Sequence, residues 1–326
     1  MRTRFFLPLA LAAALFTAQP VFAQNVNELM RQGNAAREAR NFSAAEQIFR
    51  TIISIDPNNA TAYTNLGNAL YYQGNLAEAI INYRTAIRID PNNDPAYHNL
   101  GNALYYQGNL AEAITNYRIA IRLDPNYAPT YSALGLALAD QGNPSEAITN
   151  YRTAIRLDPN LASAYSNLGN ALTDQGNLVE AITNFRTAIS INPSGAIAYN
   201  GLGIALRRQG NLVEAITNYQ SAIRLDPNFD DAYSNMGVAL YTQGNLVEAI
   251  TNYRTAIRIN PNNARGYNNL GLALFDQGNP AEAITNYRTA LRLNPNRTSA
   301  ENNLQTTIQN NLQNAERRLA EQQRRR

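Results

Sequence analysis

Residues 60–93 read ATAYTNLGNALYYQGNLAEAIINYRTAIRIDPNN, and this pattern recurs with small changes through most of the chain. Its proline, Pro91, has counterparts at Pro57, Pro125, Pro159, Pro193, Pro227, Pro261 and Pro295, each 34 residues from the next. A fixed period of this length marks a stack of small supersecondary units, none able to bury its apolar face without a neighbour. Within the quoted stretch, Ala62, Tyr63, Leu66, Gly67 and Leu70 keep the i, i+3, i+4, i+7, i+8 spacing of one helical face. Gly74 then predicts a left-handed stop, and Asn75 with Glu78 three residues on predicts a capping box for a second helix. That helix carries Leu76, Ala79, Ile80, Tyr83, Ala86 and Ile87, and it ends at Asp90-Pro91 because the residue before proline disfavours helix. The order is helix, tight turn, helix, proline turn: an all-α array of hairpins.

Placing each proline at position 32 gives eight repeats, 26–59, 60–93, 94–127, 128–161, 162–195, 196–229, 230–263 and 264–297. The first is atypical. It keeps Gly33, Ala45, Phe49 and Pro57 but puts Gln32, Ala36 and Ile52 where Leu, Leu and Ala recur, which suits an end with no preceding neighbour. After Pro295, Thr298 and Glu301 predict another capping box, and Leu304, Ile308, Leu312, Ala315 and Leu319 form one apolar stripe. Residues 298–326 therefore read as an amphipathic capping helix with a basic end.

Composition removes several function classes. The chain has no cysteine and one histidine, His98, so neither a thiolate nucleophile nor a multi-His metal site can form within it. All 27 cationic side chains are arginine. Between Gln24 and Arg297, 20 arginines face 21 acidic residues, a net of −1, so the body lacks the basic stripe of a nucleic-acid binder. Residues 1–23 read as a secretory signal peptide: Arg2 and Arg4, an apolar run from Phe5 to Phe16, then Val21-Phe22-Ala23 before Gln24. The run is too short to span a bilayer, so the expectation is export to the periplasm or beyond without stable membrane insertion.

Tyr63, Leu66, Gly67, Ala79, Tyr83, Ala86 and Pro91 resemble the tetratricopeptide repeat (TPR) signature, with Tyr for the usual Trp and Leu70 where Tyr is commoner. The match recurs as Tyr97-Leu100-Gly101-Ala113-Tyr117-Ala120-Pro125, as Tyr131-Leu134-Gly135-Ala147-Tyr151-Ala154-Pro159, and in the later repeats. The resemblance implies a right-handed TPR solenoid whose concave wall is built from the first helix of each repeat.

No catalytic constellation emerges, and neither an enzyme activity nor a cofactor is expected. Glu78, Glu112, Glu146, Glu180, Glu214, Glu248 and Glu282 are read as N-terminal capping residues rather than a metal ladder. Arginine pairs such as Arg84/Arg88, Arg118/Arg122 and Arg254/Arg258 are read as a solvated outer face, with phosphate or anionic glycan binding as the alternative.

The informative surface is the first-helix stripe at positions 2, 5, 6, 9, 12 and 13, which in a TPR stack lines the groove. Position 6 holds Asn65, Asn99, Asn167, Asn235 and Asn269, and position 9 holds Asn68, Asn102 and Asn170. A carboxamide donates and accepts at once, so such a row reads as a ladder for extended peptide backbone. It is similar to the asparagine ladder in the TPR region of O-linked N-acetylglucosamine transferases, although no transferase domain is present here. Tyr72 and Tyr106 add rigid packing groups. The competing reading is that repeat duplication copied unimportant asparagines, as at Asn82, Asn116, Asn150, Asn184, Asn218, Asn252 and Asn286, placed on second helices outside the groove. The resulting expectation is a non-enzymatic, exported scaffold holding a partner protein or peptide; the alternative is an accessory docking subunit of an envelope enzyme system, in polysaccharide synthesis, glycosyl transfer or secretion.

Overall fold

The structure, a computed structural model, describes residues 25–293 and 299–325, with the backbone alone over 299–305. The expected signal peptide and the Thr298/Glu301 capping box lie outside the described residues and side chains. Seventeen helices and no strand are present among the described residues. They form two compact bodies, one ending at Asp158 and one beginning at Pro159. The N-terminal body holds α1 (25–38), α2 (Phe42–Ile55), α3 (Ala60–Tyr72), α4 (Leu76–Ile89), α5 (Asp94–Tyr106), α6 (Leu110–Leu123), α7 (Ala128–Asp140) and α8 (Pro144–Leu157). The C-terminal body holds α9 (Ala162–Asp174), α10 (Leu178–Ile191), α11 (Ala196–Gln209), α12 (Leu212–Leu225), α13 (Asp230–Thr242), α14 (Leu246–Ile259), α15 (Ala264–Gln277), α16 (Pro280–Leu293) and α17 (Ser299–Arg324).

Each hairpin closes on one contact. Gly67 lets α3 approach α4 so nearly that a Cβ there would sit 2.5 Å from the Tyr83 ring, which is itself 1% exposed. Gly101 over Tyr117 and Gly271 over Tyr287 repeat the fit, as does Gly169 over Phe185. Around each ring the small residues of the signature pack without remaining exposure, among them Ala79, Ala86, Ala113 and Ala283. Successive hairpins stack because the second helix of one touches the first helix of the next, as α4 touches α5 and α14 touches α15.

Gly74 is left-handed (φ 82°), and the chain returns so that the Asn75 N–H donates to Leu70 O at 2.9 Å. That bond corrects the expected capping box. With the Asn75 backbone N–H already taken, the Glu78 carboxylate accepts instead from the Asn75 side-chain amide (2.9 Å) and from the Arg50 guanidinium (2.5 Å). Asn75 Oδ1 still caps the Glu78 N–H at 3.3 Å. Arg84–Glu112, Arg118–Glu146, Arg186–Glu214 and Arg254–Glu282 repeat the bridge from one repeat to the next at 2.6–2.8 Å. The first arginine of these pairs is therefore not a free cation on a solvated row.

The second-helix asparagines also differ from expectation. Asn82, Asn116 and Asn286 are buried, and each donates its amide to the carbonyl four residues earlier, at 2.8–2.9 Å. They are structural, not passive copies on an outer surface.

Candidate functional site

In the N-terminal body the exposed sides of α1, α3 and α5, with Tyr127 just before α7, enclose an open cleft of about 490 Å³. Helical periodicity puts positions 5, 6, 9, 12 and 13 of α3 and α5 on this side, while Leu66, Leu70, Leu100 and Leu104 turn into the core. Asn65, Asn68, Asn99, Asn102 and Tyr72 all line the cleft, with Arg37 at the α1 end and Tyr127 beside α7.

The four carboxamides are not equivalent. Asn68 Oδ1 accepts the Tyr83 hydroxyl at 2.8 Å, and Asn102 Oδ1 accepts the Tyr117 hydroxyl at 2.8 Å. Asn65 is buried, with its amide 3.4 Å from Asn34 Oδ1. Asn99 is half-buried and makes no hydrogen bond within the described residues. The Asn102 amide donates to His98 Nε2 at 3.0 Å, so the ring proton lies on Nδ1 and faces Thr130 Oγ1, also at 3.0 Å. Burial holds the His98 imidazole down to about 4. Neutral at ordinary pH and bonded at both nitrogens, it orients Asn102.

Tyrosine rings continue this surface. Tyr72 and Tyr106 are 62% and 66% exposed. Tyr72 stacks on Phe42 (4.9 Å, 14°), Tyr71 meets Tyr72 edge-on at 5.3 Å and Tyr106 at 6.0 Å, and Tyr105 meets Tyr106 edge-on at 5.3 Å. Burial, then the neighbouring Tyr106 and Tyr72, push the Tyr71 phenol well above its usual range.

In the C-terminal body the remaining ladder residues meet different surroundings. Asn167 lines a more apolar cavity of about 400 Å³ with Ser166, Asn192, Ile197 and Asp226. Asn170 is exposed and unbonded, because Phe185 stands where Tyr83 and Tyr117 supply a hydroxyl. Asn235 donates to Asn200 Oδ1 at 3.0 Å, and Asn269 accepts from Asn268 at 3.4 Å. Where Ile204 replaces the position-9 asparagine, the buried Tyr219 hydroxyl has no acceptor; burial, against the pull of Arg207, pushes it up to about 12.

Sequence reading missed Arg37, Tyr127 and the hydroxyl–carboxamide bonds that set which amide groups remain free. It also missed a contact between position 12 of one repeat and position 13 of the next. That step joins Tyr71 to Tyr106, Tyr105 to Asp140 (2.5 Å) and Tyr241 to Asp276. A 35-residue offset between complementary residue types is the signal that would have found it.

Helix pairs closed by a Gly–Tyr contact, stacked so that first-helix side chains line a cleft, define a helical-repeat scaffold. Family comparison agrees: a TPR repeat model matches residues 67–108, 101–142, 137–176, 169–210, 204–244 and 239–278. Tetratricopeptide repeat models also match 48–81 and 264–297. The chain belongs to the tetratricopeptide repeat family. No curated protein matches it. Among solved structures it is similar to a chain of the APC/C hetero-tetramer Cut9-Hcn1 (TM-score 0.69, 21% identity, 84% of this chain), spanning 52% of that chain's length. It is also similar to a tetratricopeptide repeat protein from Parabacteroides merdae (TM-score 0.61, 20% identity), over 77% of this chain and 99% of that one. At these identities the likeness is one of fold. A TPR scaffold of this kind is suited to protein–protein interaction.

Proposed function

We propose that this chain is a non-enzymatic scaffold, exported by its N-terminal leader, that holds an extended segment of a partner protein against its first helices. The cleft of the N-terminal body carries the reading. It is large enough for several residues of a peptide, it is lined by carboxamides and tyrosines, and Asn99 is left there without a protein partner. A half-buried amide with nothing to bond is suited to the N–H and C=O of an incoming backbone, each such bond contributing roughly 0.5–1.5 kcal/mol.

Two measurements test the proposal. The chain from Gln24 onward, immobilised in an extract of the native host, is expected to capture a protein that Asn99→Ala with Tyr72→Ala no longer retains. Arg88→Ala, an exposed second-helix change outside the cleft, is the control and should capture normally. Equal capture by all three forms would remove the cleft from the mechanism. For export, the chain purified from that host should begin at Gln24; an intact Met1 in the cytoplasmic fraction would refute it.

A further inference from the structure

In two hairpins of the N-terminal body, position 9 gives a buried tyrosine its acceptor. Tyr83 and Tyr117 donate to Asn68 and Asn102, each fifteen residues earlier. In the C-terminal body the same offset runs from Tyr219 to Ile204, an aliphatic side chain that accepts nothing. Tyr219 is fully buried, and its hydroxyl has no partner among the described residues. Tyr253 and Tyr287 stand in the same register to Val238 and Leu272. Among the described residues neither of those hydroxyls is both buried and unpartnered.

Arg207 marks the difference. It lies one helical turn beyond Ile204 on α11, and so on the same face. Its Nε is buried without a partner, while its terminal nitrogens stay accessible and make no ion pair among the described residues. The adjacent Arg208 is unlike it, donating to Thr173 O at 2.8 Å and bridging to Asp174. Burial raises the Tyr219 phenol, and the Arg207 guanidinium beside it pulls the other way. Tyr253, raised by burial and then by Tyr241, feels the same cation. If the Arg207 Nε–H donates to the Tyr219 oxygen, the phenol hydrogen is still left with no acceptor. A full positive charge and a buried O–H therefore meet with neither counter-charge nor acceptor bonded to them, an arrangement that costs free energy until an acceptor arrives.

A carboxylate answers both needs. Its two oxygens match the planar guanidinium fork, and four lone-pair sites leave room for the phenol hydrogen. The adjoining wall is apolar, with Ile204 and Val238 half-buried on neighbouring first helices. Stripping water from a dianionic phosphate against such a wall costs more than stripping it from a singly charged carboxylate.

We infer that Arg207 and Tyr219 form a carboxylate-binding site in the C-terminal body. Arg207 turns on its flexible stem to pair with the anion, the Tyr219 hydroxyl donates to the same group, and Ile204 and Val238 receive a short aliphatic stem. The ligand is thus a carboxylate on an aliphatic chain, such as an acidic side chain of a partner carries. This site does not depend on the role proposed for the N-terminal cleft.

An NMR titration of the full chain with sodium butyrate, with chloride replaced at constant ionic strength, tests it. The signals followed are the Arg207 Nε–H, assigned by its loss in Arg207→Gln, and the rings of Tyr219 and Tyr253 in chain carrying ¹³C-tyrosine. They should shift together and saturate, with half-saturation at about 1–10 mM. Arg207→Gln should raise that concentration at least about tenfold, read on Tyr253. Tyr219→Phe should raise it at least about threefold, read on Arg207. Arg208→Gln should leave it unchanged, and inorganic phosphate should need at least about tenfold more than butyrate. No saturating shift by about 100 mM butyrate would overturn the inference, as would equal weakening by Arg207→Gln and Arg208→Gln. A titration indifferent to Tyr219→Phe would make the hydroxyl an orphan of the Ile204 replacement and overturn it too. Phosphate binding as tightly as butyrate would overturn the assignment to a carboxylate.

Discussion

Arg40 occupies the position at which Gly74, Gly108, Gly142 and the later turn glycines sit, and it shares their left-handed conformation with φ 57°. Its Cβ crowds the backbone there, costing roughly 1–2 kcal/mol that glycine avoids. Glycine's larger unfolded-state entropy offsets part of the gain. Arg40→Gly is therefore expected to stabilise by about 0.5–1 kcal/mol, read as a raised urea midpoint at constant slope. An unchanged or lower midpoint would mean the Arg40 side chain contributes more than its backbone costs. His98 gives a second residue-scale prediction. Burial lowers it from 6.5 to about 4 in the folded chain, and the Asn102 amide donates to the nitrogen that would have to take the proton. The unfolded chain binds that proton from about pH 6.5 downward while the folded chain does not. The His98 contribution to stability is thus intact above 6.5 and declines as pH falls towards 4, by at most on the order of 3 kcal/mol. His98→Gln should flatten the unfolding free energy across this window relative to the unaltered chain; parallel pH curves for the two would show that His98 titrates normally.

At the scale of the element, the Arg–Glu bridges show what a second helix gains from its neighbour. Arg50, Arg84, Arg118, Arg186 and Arg254 each reach the glutamate 28 residues on. Gln220 breaks the series, and Asn245, at the start of α14, loses its side-chain cap beside the unbridged Glu248. The bridges are half-exposed, with side chains 36–58% accessible, so each is worth only about 0.2–1 kcal/mol. Gln220→Arg should add an increment of that size, and Glu248→Gln in the same background should cancel it, as a double-mutant cycle in urea would record. A gain that survives Glu248→Gln would place its origin elsewhere. This ladder also marks the limit of what the sequence discloses. The helices and the Gly74 turn were legible because each is set within one repeat, by helical spacing or by one residue's special conformation. The Arg50–Glu78, Tyr71–Tyr106 and Asn200–Asn235 contacts were not. They depend on how far one hairpin is offset against the next, which no periodicity inside the repeat states. The candidate site suffered in the same way: Asn65, Asn68, Asn99, Asn102 and Tyr72 line the cleft of the N-terminal body, but the free hydrogen-bonding groups depend on hydroxyls arriving from second helices.

For the molecule as a whole, stability follows from nearest-neighbour contacts, so the end of the stack decides whether apolar surface meets water. In the C-terminal body α17 provides that end. Ile308 and Ala315 are fully buried against Leu270, Leu274, Tyr287 and Ala290, with Leu312 and Leu319 partly buried beside them. Polar contacts reproduce those between repeats: Arg288 bridges to Glu316 at 3.0 Å, 28 residues on. Arg318 donates to Phe275 O at 3.1 Å and lies 4.8 Å over the Phe275 ring. The helix thus presents α15 and α16 with a substitute for the next hairpin, and without it their apolar faces are open to self-association. Each Leu or Ile side chain removed with it is worth roughly 1.5–3 kcal/mol of burial. Ending the chain after Arg297 is therefore expected to lower the urea midpoint and to make the sedimentation coefficient rise with protein concentration relative to the intact chain. Ile308→Ala, which leaves the helix in place but opens its most buried contact, should cost about 2–5 kcal/mol without inducing association. A truncated chain that matches the intact one in both midpoint and sedimentation would show that the faces of α15 and α16 need no cover, and that α17 serves another purpose.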